Sequence, residues 1–306
     1  LLQPFRLGGI DMADSTSREH IGILCVILSS ICFAFVPNTA KMALDEGASL
    51  FFLLAARYAI GAILLVPVLI ITGQKIAVQR TQIRPLVITS LFALFLLLAT
   101  YHAVDFLDVG LVLLILYSFP IGVALISQFS GRERIPPARW LCMMAVLGGL
   151  GLMILDGIGD ISFYGIFVTI LGLICFVFFI ETSSQLAESL GSPTLNLHIS
   201  LIGLGLLLAM LLLPIEVSFS YPDTPKGFAA ILGNGTSYIL SWVLFFEGAR
   251  MIGATRASLL ACVEPLFAAL LAMILLGQFL SPTEWIGFFI VLLSIFMFEK
   301  LAPKTG

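Results

Sequence analysis

Long apolar stretches alternate along the chain with short polar connectors. A helix needs about 20 apolar residues to cross the hydrocarbon core of a bilayer. Ten stretches reach that length: 21–43, 49–72, 85–103, 109–128, 139–156, 162–186, 194–213, 227–248, 255–276 and 284–301. None alternates apolar and polar residues with a period of two, which excludes membrane-crossing β-strands. The pattern predicts an all-α integral membrane protein of ten transmembrane helices, with no soluble domain between them.

Composition sharpens this picture. Hydrophobic residues make up 60% of the 306 positions, charged residues 11%, and mean hydropathy is +1.12. Soluble domains are about a quarter charged. A soluble enzyme and a disordered chain are excluded. The net charge of −3 leaves no basic surface for nucleic acid. The five cysteines, Cys25, Cys32, Cys142, Cys175 and Cys262, lie inside apolar runs at spacings that fit neither a metal site nor a disulfide framework, and read as small packing residues. No P-loop, GxSxG or HExxH motif is present, and the residues call for no cofactor.

Lys and Arg set the expected orientation. With the N-terminus inside, Arg6, Arg18, Lys75, Arg80, Arg84, Arg132, Arg134, Arg139, Arg250, Arg256, Lys300 and Lys304 fall on the cytoplasmic side, and Lys41 and Lys226 outside. Both termini are therefore expected in the cytoplasm. Residues 1–20 lack the apolar core of a signal peptide, so the first span is expected to be retained.

The chain also repeats itself. A shift of 145 residues lays Pro120 on Pro265, Pro137 on Pro282 and Trp140 on Trp285. Near the start of each half a shift of 143 lays Cys32-Phe33 on Cys175-Phe176, Thr39 on Thr182 and Ser49 on Ser192. Proline and tryptophan at one shared offset are not chance matches between Leu-rich helices. The halves divide into an N-terminal segment 1–20, a first repeat 21–156, a second repeat 162–301 and a tail 302–306. Five spans is an odd number, so the second half is inverted relative to the first. Inverted repeats are typical of secondary transporters, whose substrate site lies near the midplane.

The stretch Ser258–Gly287, with Glu264-Pro265, then Leu276-Gly277, then Trp285-Ile286-Gly287, resembles the ninth and tenth spans of EamA-type transporters of the drug/metabolite transporter superfamily. The resemblance covers both halves and is better in the second. It implies two five-helix repeats and a carrier of small organic molecules, commonly an exporter of metabolites, amino acids or drugs in a bacterial inner membrane. Two departures stand out. Gln278 follows Gly277 where the family has Glu, and Phe119 precedes Pro120 where the second half has Glu264.

Several residues are candidates for transport. Glu264 lies in mid-span, where a carboxylate is costly, and Ala257, Ala261 and Ala268 are expected to share its helical face. Either it binds a cationic group or couples transport to protons, or it is a protonated packing residue. Pro120 and Pro265 each remove one backbone hydrogen bond and read as hinges or kinks. Glu181 and Asn38 occupy matching depths on opposite sides of the midplane, as gate-lining residues would, although Glu181 could equally reach the interface. Arg57, about eight residues into the second span, calls for a carboxylate: Asp45, Glu46, Asp105 or a substrate group. The other reading is a head group that snorkels to the interface.

Asn234, Ser237, Tyr238, Ser241 and Trp242 recur at helical spacing and form a polar stripe on span eight. Its readings are a cavity lining or interhelical hydrogen bonding. Tyr117 and Ser118, beside Pro120, are candidates from the other half. The aromatic-polar set suits a zwitterion or amphipath. A nucleotide-sugar or sugar-phosphate antiporter would need more basic residues inside spans than Arg57. A membrane-embedded enzyme would need clustered catalytic groups at one depth. The expected partners are a small-molecule substrate and the lipid bilayer. Oligomeric state is not readable from the residues.

Overall fold

In a computed structural model, the described residues are 15–154, 162–212, 218–276 and 279–301. The N-terminal segment before residue 15, the 302–306 tail and Gln278 lie outside them. Twelve helices follow in order: α1 (Ser15–Asp45), α2 (Leu50–Ile71), α3 (Arg80–Ala103), α4 (Val109–Leu116), α5 (Phe119–Phe129), α6 (Pro137–Ile154), α7 (Phe163–Leu190), α8 (Ser192–Ala209), α9 (Pro225–Ile252), α10 (Ala254–Ala261), α11 (Glu264–Leu276) and α12 (Pro282–Lys300). A 3₁₀ turn, Met210–Leu212, follows α8. Among the described residues there is no strand. Ten helical runs among the described residues are long and apolar enough to cross a membrane, with α4–α5 and α10–α11 each counting as one run. The protein is an integral membrane protein built from two inverted five-helix repeats. Helices are the form such runs must take, because hydrocarbon offers the backbone no alternative hydrogen-bond partner.

Two spans expected as single helices, 109–128 and 255–276, are each broken in two. The first span is longer than its apolar run and carries Pro37 inside it.

The chain forms two compact units, and each draws on both sequence halves. One comprises the chain up to Ser90 with Ser183–Ile252, the other Leu91–Thr182 with the chain from Gly253 onward. In the first unit α1 packs along α9 and α2 along α8. Small residues permit these approaches, as is general for helices in lipid. A Cβ on Gly248 would come within 2.8 Å of the Gly22 carbonyl, and one on Gly203 within 2.9 Å of the Tyr58 ring. Ala62, Leu65, Leu69, Leu197 and Ile239 form one buried cluster there.

In the second unit α6 packs along α12 and α5 against α10. Gly149 and Gly287 meet at the α6–α12 crossing, where a Cβ on Gly149 would lie 2.8 Å from the Gly287 carbonyl oxygen. Ala103, Leu107, Val112, Leu116 and Val168 form a buried cluster beside α4. Outward apolar residues such as Phe129, Leu141, Phe163 and Leu293 are strongly exposed, as a lipid-facing surface requires.

Candidate functional site

The two broken spans are copies of one design. α4 ends at Leu116 and α5 begins at Phe119; α10 ends at Ala261 and α11 begins at Glu264. Each boundary is displaced by the same 145 residues that relate Pro120 to Pro265. At both breaks the backbone tightens to i→i−3 hydrogen bonds: Ser118 N to Ile115 O at 3.1 Å, and Val263 N to Leu260 O at 3.1 Å. The cause is local. Each proline follows the new helix's first residue and has no N–H to return to Leu116 or Ala261. The Ser118 hydroxyl bonds the Ile115 carbonyl at 2.6 Å.

The break corrects one expectation. Ala268 follows Glu264 within α11, but Ala257 and Ala261 belong to α10, before the turn, so no continuous helical face joins them to Glu264.

Glu264 and Tyr117 meet within the second unit. The phenol and the carboxyl stand side by side, close enough to interact. Cys262, the positional equivalent of Tyr117, is fully buried, with its thiol 3.8 Å from the Ser258 carbonyl oxygen. Phe119, the equivalent of Glu264, instead stacks on Phe176 at 4.3 Å. The carboxyl therefore stands at only one of the two duplicated breaks, and the phenol at the other.

Arg57 forms a second cluster, within the first unit. It is only 5% exposed, so it does not snorkel. Its Nε donates to Asn234 Oδ1 at 2.9 Å, and its guanidinium lies 4.6 Å from the centre of the Tyr238 ring. Asn234 is oriented by two donations of its own, to the Val36 carbonyl at 2.8 Å and to Thr39 Oγ1 at 3.1 Å. Two of the expected carboxylate partners are engaged elsewhere: Glu46 pairs with Lys226 at 3.0 Å, and Asp105 approaches His102 at 3.8 Å.

The span-eight stripe lies largely against α1. Asn234 and Ser241 are fully buried. The Ser29 hydroxyl donates to the Ser241 carbonyl at 2.8 Å, and the Ser241 hydroxyl to the Ser237 carbonyl at 2.5 Å. Trp242 packs edge-on to Phe33 at 4.9 Å. Ser237 and Tyr238 keep partial exposure. The stripe thus makes interhelical contacts along most of its length and opens at Ser237 and Tyr238.

Glu181 is 3% exposed and does not reach for the interface. One oxygen accepts from Arg132 Nη2 at 2.5 Å; the other, Oε1, has no hydrogen-bond partner among the described residues. Arg132 follows the turn at Gly131, whose φ of 73° suits glycine. Asn38 donates to the Ala34 carbonyl one turn back in its own helix, at 3.2 Å. In the sequence Arg132 reads only as a topology signal, and Thr39 and Phe33 read only as positions of the repeat. The polarity of Thr39 was a usable signal; the other two contacts needed the fold.

Near the α1–α2 connector, Glu46 accepts from the Thr224 hydroxyl at 2.6 Å and pairs with Lys226. The Thr224 hydrogen bond first, then Lys226, holds its carboxyl below the usual range. No group of three His, Cys, Asp or Glu side chains suited to a metal ion occurs among the described residues.

Comparison with known proteins agrees with this architecture. The EamA-like transporter family matches residues 20–155 and 163–299. An uncharacterized transporter of Archaeoglobus fulgidus is 30% identical over 203 residues, 66% of this chain and 71% of its own length. The uncharacterized inner membrane transporter YicL of Salmonella typhimurium is 41% identical over 63 residues, 21% of this chain and 20% of its own. The uncharacterized transporter YwfM of Bacillus subtilis is 31% identical over 99 residues, covering 31% of this chain and 33% of its own length. The matched stretches thus span a third or less of YicL and YwfM. A crystal structure 17% identical in sequence shares the fold with a TM-score of 0.76, over 94% of this chain and 98% of that one. By both matched repeats, the chain belongs to the EamA-like transporter family.

Proposed function

We propose that the protein is a secondary carrier that exports a small organic metabolite, such as an amino acid or an amphipathic compound, by alternating access between its inverted halves. The observation that carries this reading is the pair of breaks 145 residues apart, with the Glu264 carboxyl at one and its Tyr117 partner at the other. Broken helices whose ends meet polar side chains are the usual build of carrier sites. Pro120 and Pro265 act as the hinges. Glu264 is the group that takes up and releases a proton or engages an amino group of the cargo. Glu181 with Arg132 belongs to a gate on the cytoplasmic side, and both termini face the cytoplasm. The membrane is the bacterial inner membrane.

The test begins with a metabolomic and growth-resistance screen of cells overexpressing the protein. Hits then enter counterflow assays in proteoliposomes. A carrier gives saturable exchange of labelled for unlabelled compound. Unsaturable leak would make the protein a channel, and chemical conversion of the compound would make it an enzyme; either result overturns the reading.

A further inference from the structure

We infer that the cluster around Arg57 in the first unit is a carboxylate pocket, so that the carried molecule bears a single carboxylate on an aromatic or apolar body. This rests on the carrier reading above and narrows its cargo.

Four observations converge on it. First, Arg57 lies seven residues after the start of α2, about 10 Å along the helix at 1.5 Å per residue, and is 5% exposed. Second, it is held in place entirely by neutral groups. Asn234 takes Nε, and Tyr238 lies against the guanidinium face. Asn234 cannot turn away, because Val36 and Thr39 fix its amide nitrogen.

Third, the two terminal nitrogens of Arg57 make no hydrogen bond to any described residue, and neither is sealed from the accessible surface. They form the planar fork that receives a carboxylate through two parallel hydrogen bonds. A buried cation without a counter-charge is costly, and this one finds no carboxylate among the described residues. The ligand supplies the missing charge. Lysine would provide the charge without the fork or the stacked face, which accounts for arginine here.

Fourth, aromatic rings cluster next to the guanidinium. Phe33 and Trp242 meet at 4.9 Å, Tyr238 and Trp242 at 6.2 Å, and Phe33 and Tyr238 at 6.5 Å. Phe33 and Tyr238 are partly exposed; Tyr238 puts its ring against the guanidinium, and Phe33 stands next to Tyr238. One positive charge beside rings matches a monocarboxylate better than a phosphate, which several basic groups would be needed to hold.

The experiment uses the purified full chain in detergent, with phenylacetate, its neutral isostere phenylacetamide, and the cation phenethylamine. Ligand binding is read from thermal stabilisation and from tryptophan fluorescence. Phenylacetate is expected to stabilise the protein saturably, with half-saturation about tenfold or more below that of the amide, and phenethylamine not to bind. Arg57→Gln should erase the preference for the acid; Arg57→Lys, which keeps the charge, should fall between. Equal responses to acid and amide, or an undiminished preference in Arg57→Gln, would overturn the inference. If Arg57→Gln does not fold, the wild-type comparison and Arg57→Lys decide it. Saturable counterflow with no dependence on a cargo carboxylate would reject this pocket and leave the carrier reading standing. Carboxylate binding without counterflow would do the reverse.

Discussion

Tyr117 and Glu264 face each other from two helix breaks that share one origin, yet they do not occupy equivalent positions. The equivalent of Tyr117 is Cys262, and the equivalent of Glu264 is Phe119. The contact has no mirror image, since Phe119 stacks on Phe176 instead.

Glu264→Gln keeps the shape of the side chain and its ability to accept from Tyr117. If the carboxyl couples transport to protons, this variant loses the pH dependence of transport while expressing normally. Tyr117→Phe, which removes only the partner, should shift the pH profile without abolishing it. Transport measured between pH 5 and pH 8 checks both. An unaltered profile in Glu264→Gln would reduce the residue to a packing role.

The Glu181–Arg132 pair is asymmetric in burial, with side chains 4% and 42% exposed respectively. Removing the arginine strands a buried carboxylate, whereas removing the carboxylate frees a half-exposed cation. Arg132→Ala should cost about 1–3 kcal/mol, reduced from the fully buried range by solvent at the arginine. Glu181→Gln should cost less. Unfolding in mixed micelles, arranged as a double-mutant cycle, measures the difference.

Two neighbouring glycines should respond oppositely. A Cβ on Gly149 would strike the Gly287 carbonyl at 2.8 Å, while one on Gly148 meets nothing within 4 Å. Gly149→Ala should destabilise by about 1–3 kcal/mol through overpacking. Gly148→Ala should be neutral or stabilise by up to about 1 kcal/mol through helix propensity. Thermal unfolding of the two variants provides the comparison.

Glu46 has a lowered folded-state pKa, from the Thr224 hydrogen bond and then Lys226. Its contribution is present above the unfolded carboxylate pKa and is lost as pH falls through the lower, folded value. Glu46→Gln should therefore lower the melting temperature slightly at pH 7, with the gap to wild type closing under acid. A gap that persists at low pH would assign the effect to packing instead.

The spans were readable because membrane-crossing helices announce themselves by length and apolarity. The duplication was readable because Pro120 and Trp140 recur at one offset. Pro120 and Pro265 pointed to the breaks, but not to the two-residue turns before them, so Ala257 and Ala261 were assigned to the face of Glu264 across a helix that is not continuous. Arg57 was noticed as an anomaly, and Asn234 as part of a stripe. Their contact joins positions 177 apart and pairs a charge with a neutral amide, which a search for carboxylates passes over. Glu181 reads as a gate residue and Arg132 as a topology signal, because they lie 49 residues apart and only the fold brings them together.

The acid at the second-half break and the stacked ring at the matching place in the first have a consequence for the transport cycle. Two identical joints would present the same chemistry in both directions of the cycle. Now that one joint carries an acid and the other a stacked ring, selection acts on each separately, and the two directions of the transport cycle need no longer be equally easy.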